Sequence, residues 1–258
     1  ATPTIYVALQ LILPGEVAPA HRHTPTAVRF VIEGEGSYTT VNGEKCPMHK
    51  GDLILTPALN WHEPGHEGSG PVIWMDALDL PMIYAMEASY AIEGPSQPVR
   101  PEADASQNKY RRAGLLPYAS LGRAQRADYP QIRYPWVDVR QALAALATVT
   151  PKDEAVQLAY VNPETGRPCL PTLGFSAMQL RAGQDLALRK RSASGVIHVI
   201  EGRGESEIDG VTLQWTEGDT LTIPTHAQVR HRAMGNDAYL FHVDDAPMQR
   251  APAFYDDF

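Results

Sequence analysis

Two stretches decide the fold of this chain: Gly15-Glu16-Val17-Ala18-Pro19-Ala20-His21-Arg22-His23 and Gly51-Asp52-Leu53-Ile54-Leu55-Thr56-Pro57-Ala58-Leu59-Asn60-Trp61-His62. In a strand, side chains alternate between the two faces, so His21 and His23 point the same way. His62 follows after further strand-like runs and a Gly-Asp turn. Three imidazoles that converge inside a small β-barrel can hold a divalent transition metal and leave positions open for substrate.

The residues around these stretches indicate an all-β barrel or sandwich. Residues 1–78 contain short runs rich in β-branched and aromatic residues, separated by turn signals at intervals of roughly 8–12 residues. Asn42-Gly43 has the signature of a tight hairpin. The predicted strands are Ile5–Ile12, Val28–Glu33, Ser37–Val41, Asp52–Thr56 and Val72–Asp76.

The second half of the chain repeats the first. Glu201-Gly202-Arg203-Gly204 matches Glu33-Gly34-Glu35-Gly36, Asp209-Gly210 matches Asn42-Gly43, and Glu217-Gly218-Asp219 matches Lys50-Gly51-Asp52. Matching elements in the same order predict two copies of one barrel. Between them, 79–170 is rich in proline and is predicted as a linker that packs on the barrels. Its predicted helices are Ala85–Ile92 and Asp138–Ala147, with Asp138 as N-cap.

The spacing of the first copy resembles the two-part cupin signature. Five residues separate Gly15 from His-x-His, and four separate Pro57 from His62. The fold class implied is all-β: a bicupin of two double-stranded β-helix (jelly-roll) barrels joined by a partly helical linker. We expect an N-terminal barrel with the metal site in 1–78, the linker in 79–170 and a metal-free C-terminal barrel in 171–258.

In the second copy the positions of the histidines are taken by other residues. Arg189, Arg191 and Val229 stand where His21, His23 and His62 stand in the first copy. We interpret the nearby His226 and His231 as ordinary polar residues or as the lining of a second pocket. The second barrel is therefore expected to serve packing, assembly or closure of the first site.

The residues after His-x-His define the charge of the predicted site. Ala27 and Val28 occupy the positions where cupins often place a glutamate ligand. A metal held by three neutral imidazoles keeps a formal 2+ charge and suits an anionic bidentate substrate plus dioxygen. Strand alternation places Arg29 on the inward face with Ala27 and Val31, where a guanidinium binds a substrate carboxylate. The alternative is an arginine on the surface.

The chain resembles gentisate 1,2-dioxygenases along nearly its whole length, and salicylate and 1-hydroxy-2-naphthoate dioxygenases belong to the same group. The matching runs are Pro14–Thr24, Arg29–Gly34, Gly51–Pro57, Trp61–Glu63, Gly70–Asp76, Tyr160–Gly166 and Pro171–Gly174.

The resemblance implies a homotetramer that carries one Fe(II) per chain in the N-terminal barrel. It also implies cleavage of gentisate, with O2, between the carboxyl-bearing carbon and the adjacent hydroxyl-bearing carbon to give maleylpyruvate. By position, His21, His23 and His62 match the iron ligands, and Arg29 matches the arginine that binds the substrate carboxylate. Gln10, Asp76 and Trp61 match pocket residues. Pro64 departs from the family pattern, because it replaces a pocket histidine.

Composition narrows the possible partners. The chain has 258 residues and a formal net charge of −8, which argues against nucleic acid or an anionic membrane as a partner. Two cysteines without a CxxC pair, and no apparent signal peptide or membrane span, favour the cytoplasm. The expected partners are a small aromatic acid and O2.

Two other functions stay open for the chain. It could be a salicylate or 1-hydroxy-2-naphthoate 1,2-dioxygenase, or a non-catalytic metal-binding cupin.

Overall fold

Two units rich in β-strand make up the chain in the computed structural model, which describes residues 2–121, 128–187 and 189–258. The first unit comprises 6–136 and 161–170, and the second comprises 2–5, 137–160 and 171–258. Every strand pair within the described sheets is antiparallel, and each unit contains two sheets. This architecture confirms the prediction of an all-β fold. None of the helices described is long and apolar enough to cross a membrane.

Among its described residues, the first unit has ten strands, two short α-helices and a 3-10 turn at Tyr118–Ser120. Its strands are β1 Tyr6–Ile12, β2 His21–His23, β3 Ala27–Glu33, β4 Ser37–Val41, β5 Glu44–Met48, β6 Leu53–Thr56, β7 His62–His66, β8 Val72–Leu78, β9 Ala91–Glu93 and β10 Arg133–Tyr134. Its helices are α1 Leu80–Ala85 and α2 Ala105–Lys109. The strand orders in its sheets are β1-β8-β3-β6-β10 and β5-β4-β7-β2-β9.

Among its described residues, the second unit has nine strands, a short last helix and most of helix α3. Helix α3 spans Trp136–Ala147, and its first residue, Trp136, belongs to the first unit. The strands and the last helix are β11 Val156–Ala159, β12 Gly174–Leu180, β13 Arg189–Lys190, β14 Gly195–Glu201, β15 Arg203–Ile208, β16 Val211–Thr216, β17 Thr220–Ile223, β18 Gln228–Ala233, β19 Ala238–Asp244 and α4 Ala246–Arg250. The strand orders are β11-β12-β19-β14-β17 and β13-β18-β15-β16.

The hairpin turns form where the sequence predicts them. Asn42 and Gly43 join β4 to β5 with φ of 47° and 85°, and Asp209 and Gly210 join β15 to β16 with φ of 48° and 78°. Positive φ at both central residues is the condition for the two-residue turn that matches the twist of the flanking strands. Asn, Asp and Gly tolerate it, which is why these dipeptides fix the register of both hairpins.

Gly51 and Asp52, which directly precede β6, both pack against the segment that contains Arg133 and Trp136. Gly51 has φ of +83°, and a Cβ on it would lie 2.5 Å from Cγ of Trp136. The buried Asp52 carboxylate accepts hydrogen bonds from Nε of Arg133 at 2.8 Å and from the backbone N–H of Trp136 at 2.8 Å. This anchor explains how β10, a strand that the sequence did not predict, extends the sheet beyond β6.

The predicted linker 79–170 differs from its sequence-based description. The helix predicted at Ala85–Ile92 is wrong, because α1 ends at Ala85, Glu87 has φ of 56° and β9 then pairs with β2. Pairing with a neighbouring strand here outweighs local helix propensity. The second helix is confirmed, but it begins at Trp136, so Asp138 lies in its first turn instead of capping it. Residues 79–136 and 161–170 belong to the first unit, and 137–160 belong to the second.

Each unit has its own apolar core. In the first, the core includes Val31 of β3, Ile54 of β6 and Trp74 of β8. In the second, it includes Val199 of β14, Trp215 of β16 and Leu240 of β19. Val31 and Val199 occupy matching places, since the register of β3 against β8 shifts after Val31 and that of β14 against β19 shifts after Val199. The repeat seen in the sequence is therefore a repeat of structure.

Candidate metal centre and substrate cavity

Three histidines of the first unit come together as the sequence predicts. His21 of β2 lies opposite His62 of β7 in the antiparallel register, and His23 follows on the same face of β2. The ring centroids of His21 and His62 are 4.3 Å apart, and those of His23 and His62 are 4.8 Å apart. One nitrogen from each ring lies within 4.8 Å of the others. The spacing allows one ion to contact all three.

The backbone fixes which ring nitrogen faces the centre of this group. Nδ1 of each histidine lies within hydrogen-bond distance of a backbone carbonyl two residues away: 2.9 Å for His21 and Pro19, 2.7 Å for His23 and Pro25, and 2.9 Å for His62 and Asn60. A carbonyl can only accept, so Nδ1 carries the proton in all three rings. Each Nε2 therefore keeps a lone pair, as a metal ligand requires.

The surroundings of His62 and His23 favour the neutral form of these two rings. Burial, and then the nearby Arg29 charge, lower the pKa of His62 to about 2, and burial also lowers the pKa of His23. No carboxylate belongs to this cluster among the described residues. Three neutral nitrogen donors fit a divalent transition metal such as iron, manganese, nickel or zinc, and they leave its charge for an anionic ligand to offset.

A cavity of about 480 Å³ opens beside His21, the one member of the histidine group that lines it. This volume is in the range of small-molecule sites. One wall is formed by His21 of β2 and Pro64 of β7, and the opposite sheet supplies residues of β1, β3 and β8. The lining residues are Gln10, Leu11, Ile12, Glu16, Val17, Ala18, His21, Arg29, Pro64, Trp74 and Asp76.

Arg29 is held inside this cavity, as strand alternation predicts. Its side chain is 5% exposed, Nη1 donates to Oγ1 of Thr39 at 2.5 Å, and Nε lies 3.7 Å from Oδ1 of Asp76. The guanidinium carbon is 5.4 Å from the centroid of the Trp74 ring. Burial lowers the pKa of Arg29, but a guanidinium remains charged at neutral pH. The wall therefore presents a rigid cation that retains unused N–H donors.

Asp76 and Gln10 complete the polar part of the cavity. Asp76 faces Arg29 across the β3–β8 register and accepts a 2.8 Å hydrogen bond from Nε1 of Trp74. The pKa of Asp76 is raised above its usual value, because the effect of burial outweighs the Arg29 charge and the Trp74 hydrogen bond, which both lower it. Gln10 lies opposite Trp74 in the β1–β8 register and is exposed at the rim.

The structure places Trp61, which the sequence assigned to the pocket, and the nearby His66 outside the cavity. Trp61 does not line the cavity; its ring lies beneath the guanidinium of Arg22, 5.1 Å from the centroid, and against Gly94. His66 is buried, with its Nδ1 accepting the Gly68 N–H at 3.1 Å and its Nε2 hydrogen bonded to the carbonyl of Gly70. It therefore does not take the place of the histidine that Pro64 replaces.

Two residues around Arg29 escaped the sequence analysis. Trp74 shares its face of β8 with Asp76, so the alternation used for Arg29 could have identified it. Thr39 lies in the middle of β4, and nothing in its local sequence indicates contact with Arg29. The contact forms only in the folded chain, where β4 pairs with β7 in one sheet and the Thr39 hydroxyl reaches Arg29 of β3 in the other sheet.

The second unit repeats the arrangement without the ligands. Arg189 pairs with Val229 between β13 and β18, as His21 pairs with His62 between β2 and β7. Within the described residues of this unit, no group of three His, Cys, Asp or Glu ligand atoms lies close enough to bind a metal. His231 lines a cavity of this unit, whereas His226 is not among the lining residues and has its ring centroid 6.3 Å from that of Phe258.

Comparison with known proteins places this site in a family. Residues 8–78 match the family model of the cupin domain. The chain is 49% identical over 253 residues to a gentisate 1,2-dioxygenase of Ralstonia sp, an alignment that covers 97% of this chain and 70% of the relative. It is 38% identical to a 5-aminosalicylate 1,2-dioxygenase of Comamonas sp, over 98% of this chain and 68% of the relative.

Solved structures agree with the sequence relatives. The crystal structure of a salicylate 1,2-dioxygenase from Pseudaminobacter salicylatoxidans superimposes with a TM-score of 0.92 at 32% identity and covers 99% of this chain and 75% of that one. That enzyme has also been solved as adducts with gentisate. These relatives are enzymes, which removes the support for a non-catalytic cupin. The chain belongs to the family of gentisate and salicylate 1,2-dioxygenases, the ring-cleaving dioxygenases of cupin fold.

Proposed function

We propose that this chain uses one Fe(II) to cleave the ring of gentisate with dioxygen and release maleylpyruvate. The observation that carries the proposal is the buried Arg29 guanidinium, which shares one cavity with His21, a member of the three-histidine group. A metal alone would suit many cupin activities. A fixed cation beside it selects a substrate that has both a carboxylate and an oxygen able to reach the metal.

The proposed reaction balances without an external reductant. The bond between the carboxyl-bearing carbon and the neighbouring hydroxyl-bearing carbon breaks, and both atoms of O2 enter the product. The two electron pairs that reduce dioxygen come from the electron-rich ring. Iron held by His21, His23 and His62 would supply the redox contact between ring and dioxygen.

The protein's contribution is orientation and fixed charge. Arg29 binds the substrate carboxylate through N–H groups that Thr39 leaves unused, and Thr39 keeps the guanidinium from rotating. Because the side chain is almost fully buried, this contact is formed away from bulk water, where it is stronger than on a surface. The substrate ring is thereby presented to the histidine wall in one orientation.

Asp76, Trp74 and Gln10 support this arrangement. Asp76 holds the Nε side of Arg29, and its own orientation is fixed by the Trp74 hydrogen bond. The Trp74 ring lies beneath the guanidinium and excludes water from that side. Gln10, at the rim, is positioned to hydrogen bond with a ring substituent of the bound acid.

Gentisate is favoured over its analogues for two reasons. The relative with 49% identity is named a gentisate enzyme, and the relative with 38% identity acts on 5-aminosalicylate, which also carries an electron donor at ring position 5. A donor para to the ortho-hydroxyl stabilises the electron-poor ring that forms when dioxygen is reduced. Salicylate and 1-hydroxy-2-naphthoate lack it and are the alternative substrates.

Oxygen uptake by the iron-reconstituted chain tests the proposal directly. Gentisate, 5-aminosalicylate, salicylate and 1-hydroxy-2-naphthoate are compared at equal concentration, and the ring-opened product is followed by its near-ultraviolet absorbance. We expect the largest kcat/KM with gentisate. Equal or faster turnover of salicylate or 1-hydroxy-2-naphthoate would assign the chain to the alternative substrate. The homotetramer and the cytoplasmic location stay predictions, which size-exclusion chromatography with light scattering and cell fractionation can test.

A further inference from the structure

The second unit contains a cavity of its own, at the place that corresponds to the metal cavity of the first. Its volume is about 180 Å³. Arg189 and Arg191 line it where His21 and His23 stand in the first unit, and His231 follows Val229 by two residues as Pro64 follows His62. The barrel interior has therefore kept a cavity while its metal ligands have been replaced by groups that donate hydrogen bonds.

His231 presents a donor to this cavity. Nε1 of Trp215, which can only donate, is 2.9 Å from Oγ of Ser206, and that hydroxyl is 2.8 Å from Nδ1 of His231. The buried Ser206 proton then goes to Nδ1, which leaves the proton of the neutral ring on Nε2. In the described part of the chain Nε2 has no hydrogen-bond partner, although His231 is more than nine-tenths buried. Nε2 is not among the fully buried unpartnered atoms of the described residues, so it is accessible from the cavity that His231 lines, where a ligand acceptor can bind it.

Arg191 is the second donor, and its contacts leave capacity for a ligand. Nη1 lies 3.4 Å from Oδ2 of Asp244, and Nη2 lies 3.4 Å from Nε2 of His242. Both distances are longer than usual for charge-assisted hydrogen bonds. The side chain is 28% exposed, so the guanidinium reaches the cavity without being saturated by its neighbours.

The charge and shape of the wall define the ligand. Three arginines and one aspartate line the cavity: Arg189, Arg191, Arg250 and Asp257. Asp257 lies 3.7 Å from Nη2 of Arg189, and Asp244 lies 3.4 Å from Nη1 of Arg191, so these two carboxylates offset two of the three positive charges and the cavity remains positive overall. Met178, Ile197 and Leu240 form its apolar side. The volume is below the roughly 300 Å³ of ordinary ligand pockets, which restricts the site to a small molecule.

We propose that this cavity is a second, metal-independent binding site for a small carboxylate anion with an apolar body, of benzoate size or less. Arg191 and the His231 N–H bind the carboxylate, Arg189 attracts it at the entrance, and the apolar side receives the hydrocarbon part. The site does not depend on the metal centre or on the substrate proposed for the first unit.

Calorimetric titration of the iron-loaded chain with benzoate tests this site, because benzoate has no hydroxyl to undergo cleavage. We expect the Arg191→Gln and Arg189→Ala variants to bind this benzoate at least about tenfold more weakly, since each removes a charged donor. Arg203→Gln, on β15 and outside the cavity, is the matched control and should leave the affinity unchanged. Acetate should bind more weakly than benzoate if the apolar side contributes.

A second measurement separates loss of binding from loss of folding. Arg189 is 65% exposed, so its replacement should not unfold the unit. In protein with 15N-labelled histidine, benzoate should shift the Nε2 signal of His231 in the wild type and in Arg29→Ala alike, because Arg29 serves only the first cavity. Benzoate binding that is insensitive to Arg189 and Arg191, or that disappears with Arg29→Ala, would overturn the proposal.

Discussion

Replacing Arg29 by alanine is the sharpest test of the first cavity. The guanidinium is 5% exposed and is anchored by Thr39, Asp76 and the Trp74 ring, so no water replaces its contact with a bound carboxylate. Loss of one charge-assisted contact under these conditions costs about 2–4 kcal/mol. This corresponds to a drop of roughly 30- to 1000-fold in kcat/KM for gentisate. Iron content should stay normal, because Arg29 is not a ligand.

Two further variants define the cause of the loss. Arg29→Lys should recover only part of the activity, because a point ammonium cannot reproduce a planar fork. Arg22→Ala removes the same charge from β2 in the other sheet, where the guanidinium lies over Trp61 and does not line the cavity. It should keep kcat/KM within about threefold of the wild type. Near-normal turnover in Arg29→Ala, measured by oxygen uptake, would refute the assignment, and loss of iron would show that Arg29 shapes the metal site instead.

Three other changes have expected outcomes. Elemental analysis should find about one iron per chain in the wild-type protein and none in His23→Ala, because the variant lacks one of the three ligands. If the variant bound the metal equally well, this ligand set would be excluded. Gly51→Ala should lower the free energy of unfolding, measured by urea denaturation, by about 2–4 kcal/mol, because φ of Gly51 is +83° and the added Cβ would meet Trp136. Gly15→Ala is the matched control. Gly15 has φ of +80° but nothing lies within 4 Å of the added Cβ, so this substitution should cost only about 1 kcal/mol. Burial lowers the pKa of His242 to about 3, so the unfolded chain binds more protons and the stability that this neutral ring contributes is lost as pH drops from 6.5 towards 3. His242→Gln should make the fall in stability with pH less steep, with the buried His231 and His62 rings accounting for part of what remains, and an unchanged slope would contradict a buried neutral ring at position 242.

Local patterns in the sequence were sufficient wherever one strand or one turn decides the outcome. The His-x-His alternation, the inward face of Arg29 and the Asn42-Gly43 hairpin each follow from the geometry of a few consecutive residues. The strand bounds agree with the prediction to within two residues for the same reason.

What the sequence could not provide depends on pairing between distant segments. The run at Ala85–Ile92 has good helix formers, yet Ile92 pairs with Arg22 in a sheet. Arg133 and Tyr134 form a strand because Asp52 anchors Arg133 across the chain. His242 was not singled out, since its importance comes from Arg191, which directly follows β13 and is distant from His242 in the sequence. Such contacts override propensity and leave no local signature.

The two walls of the first cavity are built on separate sheets, and this has a consequence for how the family can diversify. The three histidines lie on β2 and β7, and the acceptors that orient them are backbone carbonyls two residues away. No side-chain replacement removes those acceptors, so the metal wall tolerates mutation around it. Arg29, Trp74 and Asp76 lie on β3 and β8 of the other sheet. Under the proposed function, substitutions there would alter which ring is accepted while leaving the predicted metal ligands in place, so a change of substrate would need changes in one sheet alone.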